Sequence, residues 1–501
     1  MNIISDTLAG RVSSDLENAR LCTAPITSLI PDVLSQIFEH VCSTPASISL
    51  DEIAVSALDL SRVCRSWRSL ALSQPSLWSS LSWGRKDENM YADTRWYPAA
   101  DKRHVQLWQL YLSRSRQAAL DISLFLYKQD DVKLREHLLD YVFKEQHRLQ
   151  GLRLYCRETT VPYGKKYILN DAPRLKILKI LVTSCNLIRP PVRLDESITV
   201  DTSRLSKLQI LTLCGNVFIL NEMGVFDSLQ FVRFWPNKID VGDSSMSHEL
   251  ALPLSSSVLL SFLHCVPHIQ ELSFIIDLAT TLPITPPRLV LRHLNMLILD
   301  MNTRGSEILD SLLGNLYIPA METLILRFYG DSSSGDRRWR WNTGAVLESV
   351  RSLILEWRRP EGEMPDLIHD ENLRSLLQCT PALKSLDINA EWISPQTLSL
   401  LTLAHEPSEN VVNNLCPKLE ALSLLNVNRI VSYQNIVDLI SSRFLRTQGG
   451  LENPKFPGLK DVFIRLRVVE NENDAEGPEL EDIEPICSFI KEGLQLNAMC
   501  F

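Results

Sequence analysis

A chain of 501 residues with 45% hydrophobic content is too long for one ordinary core and implies two or three domains or an extended repeat array. Its net charge of -9 argues against a surface built to neutralise phosphates, so nucleic acid is not the expected partner. Eleven cysteines are scattered singly from Cys22 to Cys500 with no C-x-x-C pair, which points to a reducing compartment and to neither a disulfide framework nor a zinc site.

Residues 1–24 read as a flexible tail. The opening Met1-Asn2-Ile3-Ile4-Ser5-Asp6 lacks a basic region followed by a sustained apolar core, and no stretch approaches the roughly 18 apolar residues that span a bilayer. A soluble protein of the cytoplasm or nucleus, without a membrane partner, is expected. The first strong helix signal starts at Pro31, which needs no N–H at a helix N-terminus, with Asp32 against the positive helix end. Val33, Leu34, Ile37, Phe38 and Val41 then recur at three- and four-residue steps as one apolar stripe. Leu60, Val63, Cys64 and Trp67 form a second stripe among Arg62, Arg65 and Arg68, and Pro75-Ser76-Leu77-Trp78 closes the segment. Some fifty residues bury two such stripes poorly by themselves. They need cover from a partner or from the rest of the chain.

This segment resembles an F-box: Leu29 and Pro31 near the start, Ile37-Phe38 a turn and a half later, the Val63-Cys64-x-x-Trp67 core, and the closing Pro-x-Leu-Trp. Its Pro-Ser-Leu-Trp-Ser ending is most similar to the F-box proteins of mushroom-forming fungi. The family differs in having Leu and Pro adjacent, where Ile30 intervenes here, and in a more compact turn than 43–56. The resemblance implies an F-box over 25–80 in which Leu29, Pro31, Leu34, Ile37, Phe38, Val63, Cys64 and Trp67 bind a Skp-type adaptor. An F-box carries no catalytic residue of its own.

Residues 81–100 are polar and read as a linker or loop. A helix around Leu107–Leu112 and an alternating strand over Leu120–Leu126 follow, placed to cap the edge of what comes next. From there a unit with apolar residues at relative positions one, four and six recurs: Leu149/Leu152/Leu154, Leu175/Leu178/Ile180, Leu208/Leu211/Leu213, Leu229/Val232/Phe234, Ile269/Leu272/Phe274, Leu294/Leu297/Leu299, Met321/Leu324/Leu326, Val350/Leu353/Leu355, Leu383/Leu386/Ile388, Leu419/Leu422/Leu424 and Leu459/Val462/Ile464. Successive units lie 21 to 40 residues apart. That brackets a strand-plus-helix repeat. The last two positions, two residues apart, share one face of a strand. Pro173, Pro267, Pro319, Pro381, Pro417 and Pro457 each stand two residues before a first position, where proline ends a helix and favours extended chain before it. The stretches 258–263, 308–313 and 373–377 look helical.

Helix, proline, strand is therefore the expected order, stacked into a curved parallel sheet with outer helices. This resembles the leucine-rich repeats that often follow an F-box. With the Asn of regular repeats present only as Asn216 and Asn302, an irregular solenoid over 101–501 is expected. An ordinary α/β domain is the alternative. The fold class read from the chain is thus a small all-α F-box followed by an α/β leucine-rich-repeat solenoid. Residues 470–485, rich in Glu and Asp, read as an acidic loop, with 486–490 as a last covering helix.

Signatures of phosphate binding, acyl transfer and metalloproteases are missing from the chain, and no catalytic residue, metal or cofactor is assigned. His264 and His268 are separated by Pro267, which breaks the helix that would align them on a metal. Interaction surfaces remain. Strand alternation puts Arg153, Tyr155, Arg233, Trp235, Ser273, Asp300, Arg327, Glu356, Asp387, Asn389 and Arg465 on the face away from the leucines, which a solenoid offers to extended partners, with Arg233, Trp235 and Arg327 the first candidates. The loop holding Trp339 and Trp341 beside arginines is a second candidate, either as a recognition element or tucked back onto the solenoid. The resemblance implies a substrate receptor of an SCF-type cullin-RING ubiquitin ligase, docked on the adaptor and through it on a cullin. A leucine-rich scaffold working outside a ligase is the alternative.

Overall fold

The computed structural model describes residues 29–48, 53–84, 102–126, 132–157, 165–183, 198–201, 204–214, 218–220, 225–235, 262–276, 289–302, 313, 316–329, 347–358, 370–403, 415–427, 433–444, 458–466, 484 and 486–500. The chain divides into two compact units, 1–155 and 156–501. The expected tail, most of the expected linker, the tryptophan loop with Trp339 and Trp341, and nearly all of the acidic loop lie outside the described residues.

In the first unit, helix α1 (Pro31–Val41) starts where proline allows it to start, with extended Ile30 as its cap and Asp32 in the first turn. Next come β1 (Ala46–Ile48), β2 (Ile53–Ala54), α2 (Ser56–Val63), α3 (Arg65–Ser73), a 3-10 turn over Pro75–Trp78, β3 (Ser80–Trp83), α4 (Lys102–Arg114), β4 (Leu120–Leu126), α5 (Val132–Lys144) and β5 (Leu149–Arg157). The stretch expected to be an overlong turn thus holds two short strands. β1 pairs in parallel with β3 and antiparallel with β2, giving the order β2-β1-β3-β4-β5. Ile48 and Leu81 are buried in that sheet, so the segment expected to be all-helical is instead tied to strands.

Aromatic side chains fill the core of this unit. The Trp78 ring meets Tyr111 edge to face at 4.9 Å and its indole N–H donates to the Ala71 carbonyl at 2.8 Å. Trp108 packs on Trp83. The closing Pro-x-Leu-Trp is therefore a core element, with Leu77 and Trp78 both buried.

The second unit contains β6 (Tyr167–Leu169), β7 (Ile177–Thr183), β8 (Ile198–Asp201), β9 (Ile210–Cys214), β10 (Phe218–Leu220), β11 (Phe231–Trp235), β12 (Glu271–Ile276), β13 (Leu289–Val290), β14 (Met296–Asn302), β15 (Leu316–Tyr317), β16 (Thr323–Tyr329), β17 (Ser352–Arg358), α6 (Asp370–Gln378), β18 (Ser385–Ile393), α7 (Pro395–Leu401), β19 (Ala421–Val427), α8 (Tyr433–Phe444), β20 (Asp461–Leu466), α9 (Ile486–Lys491) and β21 (Gln495–Cys500). Within it, β7-β9-β11-β12-β14-β16-β17-β18-β19-β20-β21 form an all-parallel sheet in chain order. The fold is α/β with a large, mostly parallel sheet and helices.

Register fixes which side chains share a face. Leu178, Leu211, Val232, Leu272, Leu297, Leu324, Leu353, Leu386, Leu422 and Val462 stand opposite one another from strand to strand. The residue three before each is buried as well, from Leu175 to Leu459.

The helix Asp370–Gln378 ends ahead of Pro381, and the prolines of this row have a further role in turns. Pro173, Pro267, Pro319, Pro381 and Pro417 each sit at the second position of a β-turn closed by a bond from the N–H of the turn's fourth residue to the carbonyl of its first, as in Leu175 to the Ala172 carbonyl at 3.1 Å and Leu383 to the Thr380 carbonyl at 3.2 Å. A fixed φ near the turn value suits that place. The residue ahead of proline is not always extended: Cys416, before Pro417, has φ +48°. The outer layer also departs from helices alone, because β6, β8 and β10 form a three-stranded parallel sheet and β13 pairs with β15. Tyr-Ile-Leu, Ile-Thr-Val and Phe-Ile-Leu are β-branched and aromatic runs suited to strands. Of the stretches expected to be helical, 373–377 lies in α6, whereas 258–261 and 308–312 lie outside the described residues. The last helix, α9, is followed by a further strand, β21, that was not expected.

Candidate docking site

Helix α1 carries a single apolar arc about 140° wide at 100° per residue, and the unit covers only one edge of it. Leu34 and Phe38 are 7% and 0% exposed, and Phe38 meets Trp67 of α3 edge to face at 4.9 Å. The remaining edge faces outward: Ile30 is 66% exposed, Val33 42%, Ile37 37% and Val41 44%. Leu29 is 36% exposed beside them. At the end of α2, Val63 is 61% exposed. Large apolar side chains lined up on one exposed helix edge are a feature of binding surfaces.

The eight residues singled out for adaptor binding thus fall into two groups. Leu29, Pro31, Ile37, Val63 and Cys64 are on the surface, whereas Leu34, Phe38 and Trp67 hold α1 against α3 from inside. Ile30, Val33 and Val41 belong to the exposed edge and were not singled out. Their spacing of three, four and four, with Ile37 between, was the signal.

Cys64 caps α3. Its Sγ accepts from the Trp67 N–H at 3.5 Å and lies 3.0 Å from the Ser66 hydroxyl. The Ser66 hydroxyl first, and then the Trp67 N–H, hold the thiol below its ordinary pKa. Burial pushes the Tyr111 phenol well above its ordinary pKa behind the same helices.

On the second unit, the face away from the leucine rows carries ion pairs between adjacent strands. Arg233 on β11 binds Glu271 on β12 at 2.6 Å. Arg327 on β16 stands between its register partners, 2.9 Å from Glu356 on β17 and 3.7 Å from Asp300 on β14. Asp387 is pushed up by burial, against the hydroxyl of Ser423. Arg233 and Arg327 are therefore engaged with their own sheet. Trp235 lies in β11, opposite Cys214, and its side chain is outside the described residues.

Among the described residues no group of three or more His, Cys, Asp or Glu side chains could hold a metal ion, and no helix is long and apolar enough to cross a membrane. No family model and no curated protein matches the chain.

Proposed function

We propose that this chain is the substrate-receptor subunit of an SCF-type cullin-RING ubiquitin ligase, with an F-box in its first unit and irregular leucine-rich repeats in its second. One observation carries the reading: α1 buries Leu34 and Phe38 inside the unit and leaves Ile30, Val33, Ile37 and Val41 of the same apolar arc facing out. A helix so divided is built to be covered twice, once by its own unit and once by a partner. The F-box resemblance names the partner as a Skp-type adaptor and, through it, a cullin.

The mechanism is proximity. Docking places the second unit and the target it holds beside a ubiquitin-charged enzyme, raising the local concentration of target lysines. No residue of this chain performs the transfer. The parallel sheet supplies the other half of the reading, since its ion-paired face is a broad surface for a protein target.

Co-expression of the full chain with a Skp-type adaptor tests this. Wild type should co-purify with the adaptor, and Val33→Glu/Ile37→Glu should not, while remaining folded because both positions are on the surface. A folded wild type that fails to bind would leave a leucine-rich scaffold acting outside a ligase.

A further inference from the structure

The surface that continues from Val63 is cationic. Arg65 and Arg68 stand one turn apart on the exposed side of α3, whose other side buries Trp67 and Ala71. Arg68 is held in place, since its Nε donates to the Ser61 carbonyl at 2.9 Å. Trp78 is pinned to the same helix one turn further on through its bond to Ala71, and the Arg114 guanidinium lies over the indole at 4.5 Å.

Arg114 covers the indole, Arg68 is near enough for its charge to act on Arg114, and Arg65 stands one turn before Arg68 and two residues past Val63. Among the described residues none of the three is ion-paired with a carboxylate. Partial burial holds the Arg114 pKa below its ordinary value, opposed by Tyr111 and aided by the charge of Arg68. Like charges brought together repel one another, and an acidic partner relieves that repulsion.

We propose that Arg65, Arg68 and Arg114 form a cationic rim to the docking face, and that the protein seated on α1 and Val63 presents carboxylates to these guanidiniums. This rests on the docking reading above and specifies the chemistry of the partner: an apolar surface bordered by acidic side chains. The rim steers encounter and fixes orientation, while the apolar edge of α1 holds the complex.

The test is a titration of the full chain with a purified Skp-type adaptor at low and high salt. Wild type should weaken by about tenfold between about 50 mM and about 500 mM salt, as screening removes the attraction. Arg65→Glu/Arg68→Glu, both exposed and therefore compatible with folding, should weaken binding by roughly tenfold to a hundredfold at low salt and flatten the salt dependence. Arg114→Gln should do so to a smaller degree, with circular dichroism confirming that each variant is folded. Unchanged affinity in the double variant, or salt-independent binding by wild type, would overturn the rim and leave adaptor docking standing. Failure of folded wild type to bind at any salt would remove the docking reading and the rim together.

Discussion

Phe38 and Trp67 meet edge to face with ring centroids 4.9 Å apart, joining the first helix to the third inside the first unit. Both were read from sequence as adaptor contacts, and their burial changes what a truncation measures. Phe38→Ala or Trp67→Ala should destabilise the unit by about 3 to 5 kcal/mol, since each removes a buried ring. Ile37→Ala, one residue along on the exposed edge, should change stability by no more than about 0.5 kcal/mol. Denaturant midpoints separate the two, and a partner lost in the first pair of variants reports unfolding as much as a missing contact.

Two glycines in the first unit would meet similar crowding at very different cost. A Cβ on Gly84 would lie 2.6 Å from the backbone carbonyl oxygen of Phe125, and its φ of +78° disfavours any other residue. A Cβ on Gly151 would lie 2.5 Å from Asp121 Oδ1, but that oxygen ends a side chain that can swing aside. Gly84→Ala should cost about 2 to 4 kcal/mol. Gly151→Ala should cost about 1 kcal/mol or less, chiefly the half-exposed Asp121–Arg153 ion pair. Thermal melting of the two variants side by side checks the contrast.

The strands were legible because their signal is local: two leucines two residues apart, with a third three residues ahead, mark a strand and the turn into it. Alongside them, the same lines of sequence held a fourth buried position that went unread. Ala172, Leu205, Phe226, Val266, Leu291, Ile318, Leu347, Thr380 and Cys416, each three residues before a first position, are all buried. Directly after each first position comes a polar residue such as Gln209, Gln230, Gln270 or Asn295, whose carbonyl accepts two N–H groups from the next strand entry. That row needs no apolar side chain, so a search for hydrophobic periodicity passes over it. On α1 the limit was different. Ile37 and Phe38 lie on one apolar arc, and which edge is covered depends on where α3 lands, a tertiary fact that no helical period records.

Arg443 on α8 shows a buried cation serving as a latch. Its Nε donates to the Leu401 carbonyl at 2.6 Å, and its two terminal nitrogens donate to Cys416 at 2.9 Å and Leu415 at 3.0 Å. The fork ties α8 to the end of α7 and to the turn before β19, where Cys416 takes its left-handed backbone. Arg443→Met fills the volume but leaves three carbonyls without this donor, and should cost about 3 to 5 kcal/mol. Arg443→Lys should recover little, because a single ammonium cannot reproduce the planar fork. The denaturant midpoint of the second unit measures both.

Cysteine chemistry should divide sharply by position. Burial pushes the Cys42 thiol up to about 11, and burial, partly offset by Arg443, pushes Cys416 up to about 11 as well. Cys64 is exposed, and hydrogen bonds from Ser66 and the Trp67 N–H hold its thiol below the ordinary value. A lowered pKa means a larger thiolate fraction at neutral pH, and the thiolate is the reacting species. Among these three thiols Cys64 should therefore alkylate first at neutral pH, and its rate should reach half of its plateau at a lower pH than that of an ordinary cysteine. Ser66→Ala removes the leading cause of the shift, so it should move that half-point upward while leaving Cys42 and Cys416 unreactive. Mass spectrometry after timed iodoacetamide treatment across a pH series reads out each site, and equal early labelling of Cys42 and Cys64 would contradict the placement of both.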